Sequence, residues 1–256
     1  IDLSKNPNPI PAFGDVDDYV FMDTNWQDVL FGNAGSTQHN LSVSGGNEKS
    51  LYRLSVGYMY DDSTLKWGNN NNKRFNVRLT NTVKLTDRFT IESVMAYNRQ
   101  DQVSPTMIDR VLTSSYPQPG LPSSTMDGKP YHWGGNYTPN WYAELGGDNK
   151  LKVSGINISE NLKYQFTSYL DAVVNLGYNT STATRDGVKN SITWYTYDGT
   201  LSTAKTNAIN NPNQASTEYS KSFARTDYYS VSGYLNYHQT LGEKHNVTAM
   251  LGAQYN

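Results

Sequence analysis

Cysteine is absent from this chain of 256 residues, which excludes disulfides and thiolate chemistry while leaving the compartment open. Long apolar runs are absent too. None approaches the ~20 residues that a membrane-crossing helix needs. Charge is close to balance, with 21 basic and 23 acidic side chains, and no basic stripe stands out, so nucleic acid is not an expected partner. Of the four histidines, His39, His238 and His245 flank alternating segments and His132 lies in a long polar stretch. No two have zinc-ligand spacing, and none has the Ser and Asp neighbours of a triad. The glycines form no phosphate-cradling pattern ahead of a helix. No catalytic residue, metal or cofactor is expected, and the chain does not read as an enzyme.

What is present is a rhythm of connections. Candidate strands are joined by a few residues at 46–50, 86–88, 167–168 and 241–244, and by long polar, aromatic stretches at 61–72, 100–153 and 183–221. A soluble sheet has no reason to place all its tight turns on one side. A transmembrane barrel does, with short turns toward the periplasm and long loops toward the exterior. The hydrophobic share of 36% does not oppose this, because barrel strands need apolar residues only at alternate positions.

From Gln38 onward the period is two. Leu41 and Val43 open the series, followed by Tyr52, Leu54, Val56 and Tyr58, then by Phe75, Val77, Leu79, Val83 and Leu85. Phe89, Ile91, Met95 and Tyr97 form a fourth strand, residues 156–166 a fifth and 170–178 a sixth. Val231, Leu235 and Tyr237 mark a seventh, and residues 247–255 an eighth. The opposite face carries Arg53, Arg78, Lys84, Glu92, Lys163 and Asp171, as a wet lumen would. Aromatic residues cluster near both strand ends, the pattern of interfacial girdles. Asn81 and Glu160 fall on the apolar face, and a carboxylate there suggests a bulge or a covering neighbour. The expected fold class is all-β, an antiparallel transmembrane β-barrel segment of about eight strands with long extracellular loops.

Residues 1–37 read as an irregular outer connection with one short helix, capped by Asn25 or Thr24 and presenting Trp26, Val29 and Leu30 on one face. Residues 38–256 read as barrel wall, including the loops at 100–153 and 183–221. A short helix is expected at residues 107–112 behind Pro105, and residues 194–197 could extend a strand above the membrane. Ile1 is neither a start methionine nor part of a secretory signal, and the last residues read as a strand, so the chain is expected to be part of a longer one.

The loops hold the candidate ligand-binding residues: Tyr116, Tyr131, His132, Trp133, Tyr137, Trp141 and Tyr142 in the first, Trp194, Tyr195 and Tyr197 in the second. Flat aromatic faces beside polar groups suit stacking on sugars or peptides. The competing reading is that these rings pack the loops against themselves, and a surface for a lid partner is equally open. Asp15, Asp17 and Asp18 lack the Gly and distal Glu of a calcium loop and read as a solvated turn.

Two segments go beyond pattern. Asn25-Trp26-Gln27-Asp28 followed by Asn40-Leu41-Ser42-Val43-Ser44-Gly45-Gly46-Asn47-Glu48-Lys49 resembles the SusC/RagA family of TonB-dependent outer-membrane transporters. Lys73-Arg74-Phe75-Asn76-Val77-Arg78-Leu79 is similar to that family's next strand. The resemblance implies a larger barrel of about 22 strands with a plugged lumen. It implies residence in the bacterial outer membrane, among lipid and lipopolysaccharide. Its implied partners are a SusD-like surface lipoprotein, an oligosaccharide or peptide substrate, and TonB through a part of the protein outside this chain. Two rivals make different structural demands. A complete small barrel, acting as an adhesin or anchor, would pair the strand at Gln38 with the one at His245. A soluble β-rich glycan-binding module would bury Leu54, Val77 and Leu176 under a second sheet.

Overall fold

A computed structural model describes residues 10–11, 20–113, 119–133, 136–201, 217–242 and 244–256. Two short strands, β1 (Ile10–Pro11) and β2 (Val20–Phe21), pair with each other and precede helix α1 (Trp26–Leu30). Four long strands follow: β3 (Ser36–Gly46), β4 (Ser50–Asp62), β5 (Asn71–Thr86) and β6 (Phe89–Pro105). The first long loop carries α2 (Ile108–Thr113), the small hairpin β7 (His132–Trp133) and β8 (Asn136–Tyr137), and α3 (Pro139–Leu145). The wall resumes with β9 (Asp148–Gln165), β10 (Leu170–Lys189), β11 (Glu218–Leu241) and β12 (His245–Tyr255).

The eight long strands form one antiparallel sheet in the order β12-β11-β10-β9-β6-β5-β4-β3. Each strand pairs with its sequence neighbour, as an up-and-down barrel wall requires. β3 and β12 lie at opposite edges and do not pair, so the sheet is open rather than a ring of eight. Nor, among the described residues, does a second sheet cover it: Leu54 is 41% exposed and Leu176 39%, contrary to the demand of a soluble sandwich.

The short turns close through local chemistry. At the β3–β4 hairpin, Gly46 has φ 152°, and a Cβ there would lie 2.1 Å from the Ser50 carbonyl oxygen. Asn47 Oδ1 then accepts from the amides of Lys49 and Ser50, both at 2.9 Å. Between β5 and β6, Thr86 Oγ1 accepts from the Arg88 and Phe89 amides. These side-chain acceptors engage N–H groups of the turns themselves.

The apolar face of the sheet is bare and slanted. Tyr58 pairs with Phe75 at its upper edge, but on β6 the edge aromatic is Tyr97, two residues below the partner of Phe75. Tyr178 lies two residues below that row on β10 and pairs with Tyr229, and Tyr255 is two further down on β12. Three two-residue steps over six strand pairings amount to one residue per strand. With a rise of ~3.4 Å per residue and strands ~4.8 Å apart, an upright belt then needs a strand tilt of about 35°, the tilt at which barrels close. On β10 the belt runs from Leu170 to Tyr178, which at this tilt spans about 22 Å of height, close to the ~25 Å apolar band of outer-membrane barrels.

Glu160 needs no bulge. Its pairing to β6 and β10 is unbroken, and its Oε2 accepts a 2.5 Å hydrogen bond from Ser93 Oγ, itself paired with Asn81. The two misfits of the apolar face are thus ends of one polar row, Asn81–Ser93–Glu160, crossing three strands. The covering neighbour of the carboxylate is a hydroxyl in its own sheet.

Candidate functional site: an aromatic cap on the long-loop side

Nearly every buried apolar residue among those described lies outside the wall. The core joins Trp26 and Leu30 of α1, Leu65 of the β4–β5 loop, Met107, Val111, Leu121, Tyr131, Tyr142 and Ala143 of the first long loop, and Ile192 and Trp194 of the second. Segments far apart in sequence therefore fold into one cap over a single end of the sheet.

Each segment arrives with its own fastening. Asn25 caps α1, its Oδ1 accepting from the Gln27 and Asp28 amides. The turn of helix drops Trp26 and Leu30 into the core, as helical spacing dictates. The β4–β5 loop clamps α1 from the far side: Trp67 Nε1 donates to the Val29 carbonyl at 2.7 Å, and Lys66 Nζ to that of Asp28 at 2.5 Å. Gly68, with φ 71°, allows this loop to touch α3; a Cβ there would sit 2.2 Å from the Ala143 carbonyl oxygen. The two long loops are stitched by backbone bonds, with the Met126 amide donating to Tyr197, the His132 amide to Tyr195, and the Tyr195 amide to Pro130.

Within this frame the candidate residues separate by depth. Tyr131 is 1% exposed and meets Tyr197 edge-on at 6.0 Å. Tyr142 packs against the fully buried Trp194 at 5.2 Å. His132 is also buried, and desolvation lowers its pKa to about 4, so it is neutral at physiological pH. These four occupy the interior of the cap. Trp141, Tyr195 and Tyr197 are half-buried. Trp141 leans on Trp67 at 5.5 Å while its Nε1 donates to the Ser123 carbonyl at 2.9 Å. Lys129 lies 5.0 Å over the ring of Tyr195. The backbones of Trp133 and Tyr137 form the β7–β8 hairpin, but their side chains lie outside the described residues, as do Tyr116 and the acidic turn at Asp15, Asp17 and Asp18.

Residues 194–197 do not extend a strand. Tyr195 makes isolated bridges to Tyr131 and Leu201, and a tight turn follows. There Asp198 Oδ1 accepts from the Thr196 hydroxyl and the Thr200 amide, bonds that hold its carboxyl below the usual range. The expected helix at 107–112 is found as α2, beginning one residue later. Neither Trp67 nor Asn140 is among the candidate binding residues of the sequence. Asn140 is fully buried and donates from Nδ2 to the Ser123 carbonyl. Trp67 did carry a signal, as a lone indole in a loop of asparagines. Among the described residues no three His, Asp or Glu side chains converge to hold a metal.

The arrangement can present rings and polar groups to a ligand or partner.

Comparison with known proteins places this geometry. No family model matches the chain. The TonB-dependent receptor SusC of Bacteroides thetaiotaomicron is 44% identical over 46 residues, which is 18% of this chain and 5% of that receptor. A chain of the RagAB peptide importer in its closed-closed state superposes with a TM-score of 0.68 at 15% identity, covering 96% of this chain. The open-open state gives 0.69 at 16% identity over 96%. This chain spans 26% of the length of either solved chain. An open antiparallel wall with a bare, slanted apolar belt is a segment of a membrane-spanning β-barrel. The fold is thus that of part of the RagAB chain, and one 46-residue segment is similar to a TonB-dependent receptor. These relatives are named for reception and for peptide import.

Proposed function

We propose that this chain forms part of the wall and outer mouth of a SusC-like importer, which takes up a glycan or a peptide under a SusD-like surface lipoprotein with energy delivered through TonB. The observation that carries this reading is the junction of two bodies in one chain. A lipid-facing wall, tilted as barrels are, bears on one end a packed cap with half-buried rings at its surface.

The cap divides the candidate residues by task. Tyr131, His132, Tyr142 and Trp194 set its shape from within. Trp141, Tyr195 and Tyr197, with Trp133, Tyr137 and Tyr116, are the residues proposed to meet ligand or lipoprotein. RagAB is a peptide importer, and flat aromatic faces suit peptides and sugars alike, so either class suits these rings. The chain makes or breaks no bond in this scheme. Substituting Trp133 and Trp141 by Ala in the full-length protein should weaken binding of its oligosaccharide or peptide about thirtyfold, if each ring contributes ~1 kcal/mol beyond area burial. Unchanged affinity would reduce both rings to loop packing.

A further inference from the structure

On the apolar face, immediately above the aromatic edge of the belt, cations gather on three adjacent strands. Lys73 of β5, Asp101 of β6 and Lys152 of β9 occupy one pairing row. Arg99 lies two residues below Asp101 on β6, and Lys150 two above Lys152 on β9. Period-two alternation puts all of them on the side of Phe75, Tyr97 and Ile156, the lipid-facing side. All four cations are exposed. Asp101 is engaged by Arg99 at 2.9 Å. Asp186, opposite Lys150, is engaged by Lys221 at 3.5 Å. Lys73 lies 5.8 Å over the ring of Tyr60, and neither it nor Lys150 nor Lys152 has an ion-pair partner among the described residues. The patch is thus cationic in excess, about two strand spacings wide, and starts ~7 Å along the strand from Phe75 and Tyr97. That is the depth of lipid headgroups, whose layer begins where the hydrocarbon ends.

We propose that this patch holds the phosphate of an anionic lipid of the surrounding leaflet. Its acyl chains would lie on the belt below, along Val77, Met95 and Ile158. The chemistry fits part by part: Arg99 and the flanking lysines offer charged donors to phosphate oxygens, while Phe75 and Tyr97 mark the apolar boundary where such a headgroup sits. The inference rests on the outer-membrane reading, because only a lipid-embedded wall brings headgroups to this row.

The test uses the full-length protein in detergent, titrated with bisphosphorylated lipid A and with the same lipid stripped of phosphate, bound lipid being counted by native mass spectrometry. Wild-type protein should retain the phosphorylated form preferentially. The triple variant Lys73→Gln, Lys150→Gln, Lys152→Gln should bind it on the order of a hundredfold more weakly, at about fivefold per lysine. Lys49→Gln, Lys84→Gln, Lys163→Gln, on the turn and lumen side, should bind as wild type does. Equal binding by wild type and the first variant overturns the proposal. So does equal affinity for both lipids, or full competition by inorganic phosphate alone, which would make the patch a plain anion site. Recovery of each variant in the outer-membrane fraction separates the outcomes. A wild-type protein absent from that fraction defeats the outer-membrane reading itself, whereas intact insertion with unaltered lipid binding defeats only the lipid site.

Discussion

Replacing Trp194 by Ala should detach the cap from its own core while leaving the wall intact. The indole is fully buried, faces Tyr142 at 5.2 Å, and lies in the cluster that ties the second long loop to the first. A buried tryptophan removes about 200 Å² from water, worth ~5 kcal/mol at ~25 cal/mol per Å². Part of that remains with Ala, and measured Trp→Ala losses run at about 3–5 kcal/mol. The cap should therefore lose about 4 kcal/mol. The wall does not share this cost, because its strands are held by their own ladders and by lipid. Hydrogen exchange on the full-length protein in nanodiscs reads the two bodies separately. The Met126, His132 and Tyr195 amides, which bridge the long loops, should exchange up to ~10³-fold faster. Amides in the middle of β9 and β10 should not change. Trp141→Ala, at a half-buried ring, should accelerate the same cap amides far less. Equal loss of protection in cap and wall would refute the two-body view, and unaltered cap protection would refute the assignment of Trp194 to its core.

Acidification should loosen the same body. His132 is held near 4 in the cap against 6.5 when exposed, so the unfolded cap binds the proton first and its stability falls as pH drops from about 6.5 to 4, by up to ~3 kcal/mol. Cap exchange corrected for intrinsic rates should accelerate over that window in wild type, but not in His132→Gln, and a flat wild-type profile would contradict the buried neutral imidazole. At the short-turn side, Gly46→Ala should cost about 1–3 kcal/mol, because the new Cβ collides with the Ser50 carbonyl in a backbone region L-residues avoid. The heat needed to unfold the barrel on a gel should drop, and an unshifted profile would show that the hairpin relaxes without penalty.

The wall was legible because its determinants are local and repeated. Alternation from Leu41 to Tyr58 or from Leu170 to Tyr178 states which face meets lipid, and the Asn47 and Thr86 turns carry their own acceptors. Helix α1 was legible for the same reason, Asn25 and the spacing of Trp26 and Leu30 both lying within two turns. Strand lengths were less so. β9 begins at Asp148 and β10 runs on to Lys189, through residues polar on both faces where alternation loses contrast. There the pairing with neighbouring strands, not the side chains, maintains the extension.

Glu160 shows the limit from the other side. Its position on the apolar face was evident, but its company was not, since Ser93 and Asn81 become its row only once β5, β6 and β9 are in register.

By itself, the sequence determined the strands, their turns, the lipid-facing set and the short helix, since each depends on residues within a few positions of one another. The tertiary structure alone decided the cap. Whether Trp194 meets a ligand or packs edge-on against Tyr142, and whether Trp67 reaches Val29, depends on loops more than thirty residues apart meeting over one end of the sheet. No local pattern encodes that meeting, because burial of an aromatic ring is a property of the partners the fold brings to it.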